Sequence, residues 1–235
     1  MKFPVLETYL NQLRTQKSEG GKLWIDTNNR VQGQFFKCSL TSAFQKIISL
    51  DKDCLFGYEA HSHSYSKSDR GLSIWQLLMN AASDDESIEL DRLARMIHVL
   101  NFFRQPSQEG KNILIDVHDR LLSAVTENHG AAFRRIVSSL GISTSRIILQ
   151  LPYVKKGQNW ALKQIVDNYK LSGFSMAIRA SNISEASIHI ETLRPNIVRI
   201  DITRVGNSAN FIKLIERART LRIYVIIDRI EYKNE

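Results

Sequence analysis

The sequence predicts an α/β fold, a TIM-like (β/α) barrel, from three observations. Six short runs have the length of strands and are apolar on both faces, and helical patterns lie between most of them. Strands of this kind that alternate with helices are typical of a parallel sheet. The chain has no glycine-rich nucleotide fingerprint, which favours a barrel over an open doubly wound sheet. The six runs lie at residues 54–60, 112–117, 146–152, 175–180, 197–202 and 224–230.

An appendage is predicted ahead of the barrel. Apolar residues recur with helical spacing from Val5 to Leu13, which predicts a helix over about residues 1–17. Residues 22–38 read as two strands around the Asn28-Asn29 pair, a pattern typical of a β-hairpin. We therefore divide the chain into an appendage at residues 1–40 and a barrel at residues 41–235.

The bulk composition limits the classes of function. A formal net charge of +8 favours anionic partners, but the basic residues form no stripe interleaved with aromatics, so a nucleic-acid partner is not expected. No run reaches the roughly 18 apolar residues that a membrane span needs, and no signal peptide is recognised. Two cysteines, Cys38 and Cys54, do not make a disulfide framework. We expect a cytoplasmic protein with no membrane partner.

Polar side chains lie near the carboxyl ends of the six predicted strands. In a barrel these strand ends converge on one mouth, where barrel enzymes carry their chemistry. The sequence therefore predicts a shared polar pocket there. Its members are Glu59, Asp116, Gln150, Arg179, Asp201 and Asp228.

These residues resemble a known family. The stretch "FQKIISLDKDCLFGYEA" is similar to the opening of an EAL domain, the barrel that hydrolyses the bacterial second messenger cyclic di-GMP. Gln45 and residues 57–60 match that opening, and Leu90-Asp91 matches a later pair. The order of motifs holds over residues 42–231. The resemblance implies a barrel of EAL type and leaves open whether it is complete at its C-terminus, where residues 22–38 or a second protein would cover an open strand edge.

The resemblance also implies two divalent cations, held by carboxylate and amide oxygens, that activate a water between them. Glu59, Asp201 and Glu231 keep the family's residues. At other positions of the ancestral site the family's residue is replaced. Asp116 stands for an asparagine, Gln150 and Asp228 for glutamates, Arg179 and Ala180 for two adjacent aspartates, and Arg199 for a lysine.

Arg179 decides what these replacements mean for catalysis. Arginine stays protonated at any workable pH, and a guanidinium about 4 Å from a divalent ion would repel it by several kcal/mol at an effective dielectric near 20. Ala180 removes a second shared carboxylate. We expect no catalytic residues, no bound metal and no other cofactor. We also expect Arg179 to pair with two of the remaining carboxylates in place of the metals.

The leading hypothesis is a catalytically inactive, EAL-like regulatory protein of bacterial signalling that acts through an unknown protein partner. One alternative is a non-hydrolysing receptor for cyclic di-GMP or a related anionic nucleotide, with His63, Arg179 and Arg199 as candidate phosphate contacts. A third reading is an active cyclic di-GMP phosphodiesterase with an altered metal site. A zinc site at His61, His63 and His118 beside Glu59 is a further alternative, without the histidine spacing that would support it.

Overall fold

The computed structural model describes residues 3–15, 22–36, 38–65, 83–118, 129–153, 159–205 and 208–229. All nine described strands join one sheet, in which neighbours in sequence are neighbours in space. In chain order the elements are α1 (Pro4–Thr15), β1 (Leu23–Ile25), β2 (Val31–Phe35), β3 (Cys38–Ser49), β4 (Cys54–Tyr65), α2 (Asp84–Phe103), β5 (Asn112–Asp116), α3 (His129–Ser139), β6 (Ile147–Leu151), α4 (Asn159–Leu171), β7 (Ser175–Ala180), α5 (Ile183–Thr192), β8 (Ile197–Asp201), α6 (Ser208–Thr220) and β9 (Tyr224–Asp228).

The predicted α/β barrel is confirmed. Strands β4 to β9 pair in parallel, while β1 to β4 pair in antiparallel fashion. Seven strands, β3 to β9, each contribute one side chain to a single interior apolar layer, so the sheet curls until its two flanks meet. The rings of Phe56 on β4 and Tyr224 on β9 lie 5.2 Å apart across this seam. The layer consists of Ile47, Phe56, Leu114, Ile148, Ala177, Ile197 and Ile226.

The outer faces of the parallel strands are equally apolar, because helices cover them. On β5, Ile113 and Ile115 pack outward in the main core while Leu114 points inward, and none of the three is exposed by more than 1%. This burial on both faces is the physical reason for the continuous apolar runs in the sequence. Among the described helices, none is long and apolar enough to cross a membrane.

A β-bulge on β4 sets the direction of its side chains. The register with β3 shifts at this point, so that Ile47 pairs with Gly57 and Ile48 pairs with Leu55. The extra residue, Phe56, points into the apolar layer, and Glu59 points the same way three residues later. Without the bulge, two residues separated by three would face opposite sides of the sheet.

The predicted hairpin is present. Its strands β1 and β2 are joined through Asn29, which has a φ of 60°, a value that asparagine tolerates better than most residues. The hairpin extends the sheet from the first residues of β3, at the end opposite β9. Residues 22–38 therefore do not cover the edge of β9, which was one of the two alternatives for an open barrel. The boundary at residues 40 and 41 stays a prediction, although both residues lie inside β3.

The appendage is tied to the barrel by buried contacts. Leu6, Leu10 and Leu13 of α1 are buried in the main core. The Asn101 side chain on α2 accepts a hydrogen bond from the Val31 N–H at 2.8 Å and donates to the Val31 carbonyl at 2.7 Å. The amide of Asn101 thus serves β2 as a neighbouring strand would.

Candidate functional site

The polar pocket predicted at the barrel mouth lies directly above the interior apolar layer, because most of its side chains come two residues later on the same strands. Strand β8 points Ile197 into that layer and Arg199 into the next one, because alternate residues face the same side. Asp116, Gln150, Arg179 and Asp228 follow the same alternation on their own strands. The side chains of this second layer therefore meet in the barrel interior.

Arg199 lies at the centre of the pocket. Its Nε donates to both carboxylate oxygens of Asp228, at 2.7 and 2.6 Å. Its Nη1 and Nη2 donate to the two oxygens of Glu59 at 2.5 and 2.8 Å, and Nη1 also donates to Gln150 Oε1 at 3.0 Å. One guanidinium therefore joins strands β4, β6 and β9.

Burial and charge explain the ionisation of this cluster. Burial alone would raise the pKa of Glu59, whose side chain is 4% exposed, but the hydrogen bonds and charge of Arg199 hold that pKa below its ordinary value. Burial would lower the pKa of Arg199, but the hydrogen bonds and charges of Glu59 and Asp228 outweigh burial and hold that pKa above its ordinary value. Both groups are charged at neutral pH.

Arg179 lies beside this cluster at longer distances. Its Nη2 is 3.6 Å from Glu59 Oε1 and 3.5 Å from Asp116 Oδ1, and its Nη1 is 3.9 Å from Asp228 Oδ2. Arg179 thus lies among the carboxylates as expected, but the shortest, two-pronged contacts that were expected of Arg179 belong to Arg199. Strand β8 lies next to β9, so Arg199 reaches Asp228 with its Nε and still spans the interior to Glu59.

Gln150 connects the two halves of the pocket. Its Oε1 accepts from Arg199, and its Nε2 donates to Asp116 Oδ1. A glutamate at this position could accept from Arg199 but could not donate to Asp116. The replacement of a carboxylate by an amide therefore suits a pocket that arginine organises.

The remaining predicted residues lie around this cluster or away from it. Ala180 is fully buried on the outer face of β7, packed with Ala186 and Val198, and does not reach the pocket. Asp201 accepts hydrogen bonds from the Thr203 N–H and hydroxyl at 2.9 and 2.6 Å, and so caps the turn after β8. Glu231 lies outside the described residues.

The three histidines proposed for zinc do not form a common site. His61 Nε2 is 3.7 Å from Glu59 Oε2. His118 uses its backbone N–H to bind Asp91 Oδ1 at 3.0 Å. Within the ranges that the structure describes, no group of three or more histidine, cysteine, aspartate or glutamate side chains is arranged to hold a metal.

Sequence reasoning missed the role of Asp91. This residue is 1% exposed, forms an ion pair with Arg95 and holds the backbone that follows β5. Its signal in the sequence was the Leu90-Asp91 pair on a predicted helix, which indicated a resemblance but not a contact.

The resemblance to EAL domains implies a pair of divalent cations, and the side chains of the pocket do not suit the binding of such a pair. The oxygens of Glu59, Gln150 and Asp228 already accept hydrogen bonds from Arg199 at 2.5–3.0 Å. A cation coordinated by the same oxygens would lie about 4 Å from that guanidinium, at a repulsion of roughly 8 kcal/mol for an effective dielectric near 20. Arg199 cannot relieve this repulsion by losing its proton.

Comparison with known proteins agrees with this fold. The YkuI protein of Bacillus subtilis, with an EAL domain and in complex with c-di-GMP and calcium, matches with a TM-score of 0.65 and 18% identity, over 82% of this chain and 49% of that one. The FimX EAL domain of Xanthomonas citri, in complex with c-diGMP, matches with a TM-score of 0.65 and 13% identity, over 83% and 79%. Klebsiella pneumoniae BlrP1, a manganese/cy-diGMP complex, matches with a TM-score of 0.65 and 13% identity, over 92% and 51%.

These identities show a shared fold alone, and this chain spans about half the length of YkuI and BlrP1. No curated protein matches the sequence. The sequence model of the EAL domain, however, matches residues 28–235, which is most of the chain. The chain belongs to the EAL domain family.

Proposed function

We propose that this EAL domain does not hydrolyse cyclic di-GMP and acts as a regulatory protein of bacterial signalling through contact with a partner protein. The observation that supports it is the guanidinium of Arg199, which holds the oxygens of Glu59, Gln150 and Asp228. Two-metal hydrolysis needs such oxygens free to coordinate ions that activate water and neutralise the phosphodiester. Here the protein's own cation has taken these oxygens.

The charge of the pocket favours a protein partner over an anionic nucleotide. Among the described side chains of the cluster, three carboxylates face two guanidiniums, which leaves one negative charge uncompensated. A phosphodiester approaching this cluster would find no surplus of positive charge. We place the protein in the cytoplasm, where its two free cysteines, Cys38 and Cys54, stay reduced.

One observation favours a second candidate function, a receptor for cyclic di-GMP. Arg179 keeps its carboxylates at 3.5–3.9 Å, and its side chain is 23% exposed. It could therefore turn toward a phosphate without breaking a close ion pair. FimX, whose EAL domain is in complex with c-diGMP, is similar to this chain in fold.

Hydrolysis of cyclic di-GMP, assayed with magnesium and with manganese beside an active EAL phosphodiesterase, tests the proposal. We expect no linear dinucleotide above the level of a protein-free control. Turnover that depends on metal and enzyme concentration would refute the loss of catalysis and revive the third reading.

Calorimetric titration with cyclic di-GMP separates the two remaining functions. The partner-protein proposal expects no saturating heat, with or without magnesium. Saturation at micromolar concentration that is lost in Arg179→Gln would establish the receptor instead. Arg217→Gln is the matched control, because Arg217 pairs with Glu191 on the outer helices at 2.5 Å.

A further inference from the structure

A second charged site lies away from the barrel mouth, at the turn of the N-terminal hairpin. Three elements each bring one arginine to it: Arg14 lies in the last turn of α1, Arg30 lies between the hairpin turn and β2, and Arg104 caps the C-terminus of α2. The Arg14 Nη2 donates to Asn29 Oδ1 at 3.4 Å. The Arg104 Nε donates at 3.2 Å to Asn101, the residue that also binds β2.

One described carboxylate, Asp26, belongs to this site, and its acceptor positions are already used. Its Oδ1 accepts from the backbone N–H groups of Asn28 and Arg30 at 2.9 and 2.8 Å. Its Oδ2 accepts from Arg30 Nε and Gln32 Nε2 at 2.9 and 2.6 Å. A carboxylate has about four acceptor positions, so Asp26 has none left for Arg14 or Arg104. These hydrogen bonds overcome the effect of burial, which would raise the pKa of Asp26, and hold that pKa below its ordinary value.

Arg104 is the least compensated of the three arginines. Its side chain is half-buried, and among the described residues its two terminal amino groups have no hydrogen-bond partner. Burial lowers the pKa of Arg104, the charges of Arg14 and Arg30 lower it further, and Asp26 opposes them only in part. A half-buried cation in this position is stabilised when an anion joins it.

We propose that Arg14 and Arg104, beside the ion pair of Arg30 with Asp26, form a docking site for an acidic segment of a partner protein. Among the described side chains of the site, Asp26 pairs with Arg30, so the charges of Arg14 and Arg104 are the ones that two carboxylate side chains of a partner would match. The terminal amino groups of Arg104 would donate to one of them, in the bidentate geometry that guanidinium and carboxylate share. In the part of the chain that the structure describes, no aromatic ring lies against Arg14 or Arg104, so an acidic protein segment fits the site better than a nucleic acid.

This site goes beyond the proposed function by giving the chemistry of the partner, and its test does not depend on what the barrel mouth binds. The probe is a fluorescein-labelled hexaglutamate peptide, followed by fluorescence anisotropy at low ionic strength. We expect the Arg14→Gln/Arg104→Gln double variant to bind it at least about tenfold more weakly than the wild type. The charge-matched control, Arg134→Gln/Arg135→Gln on the exposed face of α3, is expected to change affinity less than about twofold.

Further variants and probes complete the test of this docking site. Arg104→Lys retains the charge without the fork and is expected to give an intermediate loss. If Arg104→Gln lowers the melting temperature, Arg14→Gln alone decides, since Arg14 is exposed. Failure of the wild type to bind the peptide, or an equal loss in the control, overturns the proposal. Tighter binding of oligothymidylate or inorganic phosphate, weakened by the same variants, also overturns it and assigns the site to phosphate.

Discussion

Replacement of Arg199 by methionine tests the organisation of the barrel mouth most directly. Methionine keeps an unbranched apolar stem in place of that of arginine, but it is shorter and removes every hydrogen bond that the guanidinium donates. Glu59 is then left with its side chain 4% exposed and without its close partner. Arg179, with Nη2 3.6 Å from Glu59 Oε1, compensates only in part.

The magnitude follows from this burial. Removing one partner of a buried ion pair costs about 3–5 kcal/mol, because the other charge stays buried. Asp228 is 22% exposed and Arg179 remains near, so the lower end applies. We expect Arg199→Met to lose about 3 kcal/mol of unfolding free energy at pH 8.

The unfolding free energy that Arg199→Met loses is expected to depend on pH. In the wild type the pKa of Glu59 lies below its ordinary value, so its ionised form stabilises the fold above that ordinary value and the gain is lost as the pH falls through the folded pKa. In Arg199→Met, burial is no longer opposed by Arg199 and raises the pKa of Glu59. The deficit of the variant is therefore expected to be largest at pH 8 and to shrink toward pH 5.

Urea unfolding at pH 5 and pH 8 measures this deficit. Arg217→Met is the control, since its ion pair with Glu191 is exposed, and we expect its unfolding curves to overlie those of the wild type. An Arg199→Met variant as stable as the wild type at pH 8, or equally destabilised at both pH values, would refute the reasoning.

The same variant tests whether the guanidinium excludes divalent cations. Without it, three carboxylates and one guanidinium leave two negative charges, and Gln150 Oε1 adds a neutral oxygen donor. Hard cations prefer such oxygens. We expect manganese to raise the melting temperature of Arg199→Met in a saturable way and to leave the wild type unchanged. The same rise in the wild type would contradict the exclusion.

Three further substitutions probe the scaffold. Asn101→Ala removes the acceptor of the N–H of fully buried Val31 and leaves the Val31 carbonyl with the Thr41 hydroxyl alone; we expect a loss of about 2 kcal/mol in urea unfolding and faster amide exchange at Val31, whereas unchanged slow exchange would contradict this role of Asn101. Gly57→Ala places a Cβ 2.6 Å from the Asn112 carbonyl oxygen, and we expect about 1–3 kcal/mol of destabilisation in the same assay, with a neutral result showing that the strands can move apart. Burial lowers the pKa of His98 to about 3, so below pH 6.5 the unfolded chain gains a proton that the folded chain does not. We therefore expect the unfolding free energy of the wild type, relative to that of His98→Gln, to fall by up to about 1.4 kcal/mol per pH unit down to pH 4. Parallel plots of unfolding free energy against pH for the two proteins would disprove this.

Prediction from the sequence was strongest for the parallel strands. The run at residues 112–117 contains β5, and that at 175–180 coincides with β7, because burial on both faces leaves few polar residues in them. Strand β3 was not predicted. Its stretch "CSLTSAFQKIIS" has partly exposed positions throughout its second half and carries neither a continuous apolar run nor a strict alternation.

Five of the six residues predicted for the pocket lie in it, whereas Asp201 caps the turn after β8, and Arg199, the centre of the cluster, was not among the six. Glu59, Asp116, Gln150, Arg179 and Asp228 do converge at the mouth, because parallel strands end at the same side of a barrel. That the chain acts as a regulatory protein, because the family's metal ligands are replaced, stays a proposal.

The order of apolar runs by itself determined a parallel sheet covered by helices, since each run must bury two faces and this arrangement buries both. The alternation of side chains likewise determined which residues face the barrel mouth. Only the tertiary structure decided that Arg199 makes the closest contacts with the carboxylates while Arg179 lies at longer distances. That choice depends on which strand lies beside β9 and on the bulge that turns Glu59 inward, and distances of this kind between strands remote in sequence are not encoded in any local pattern.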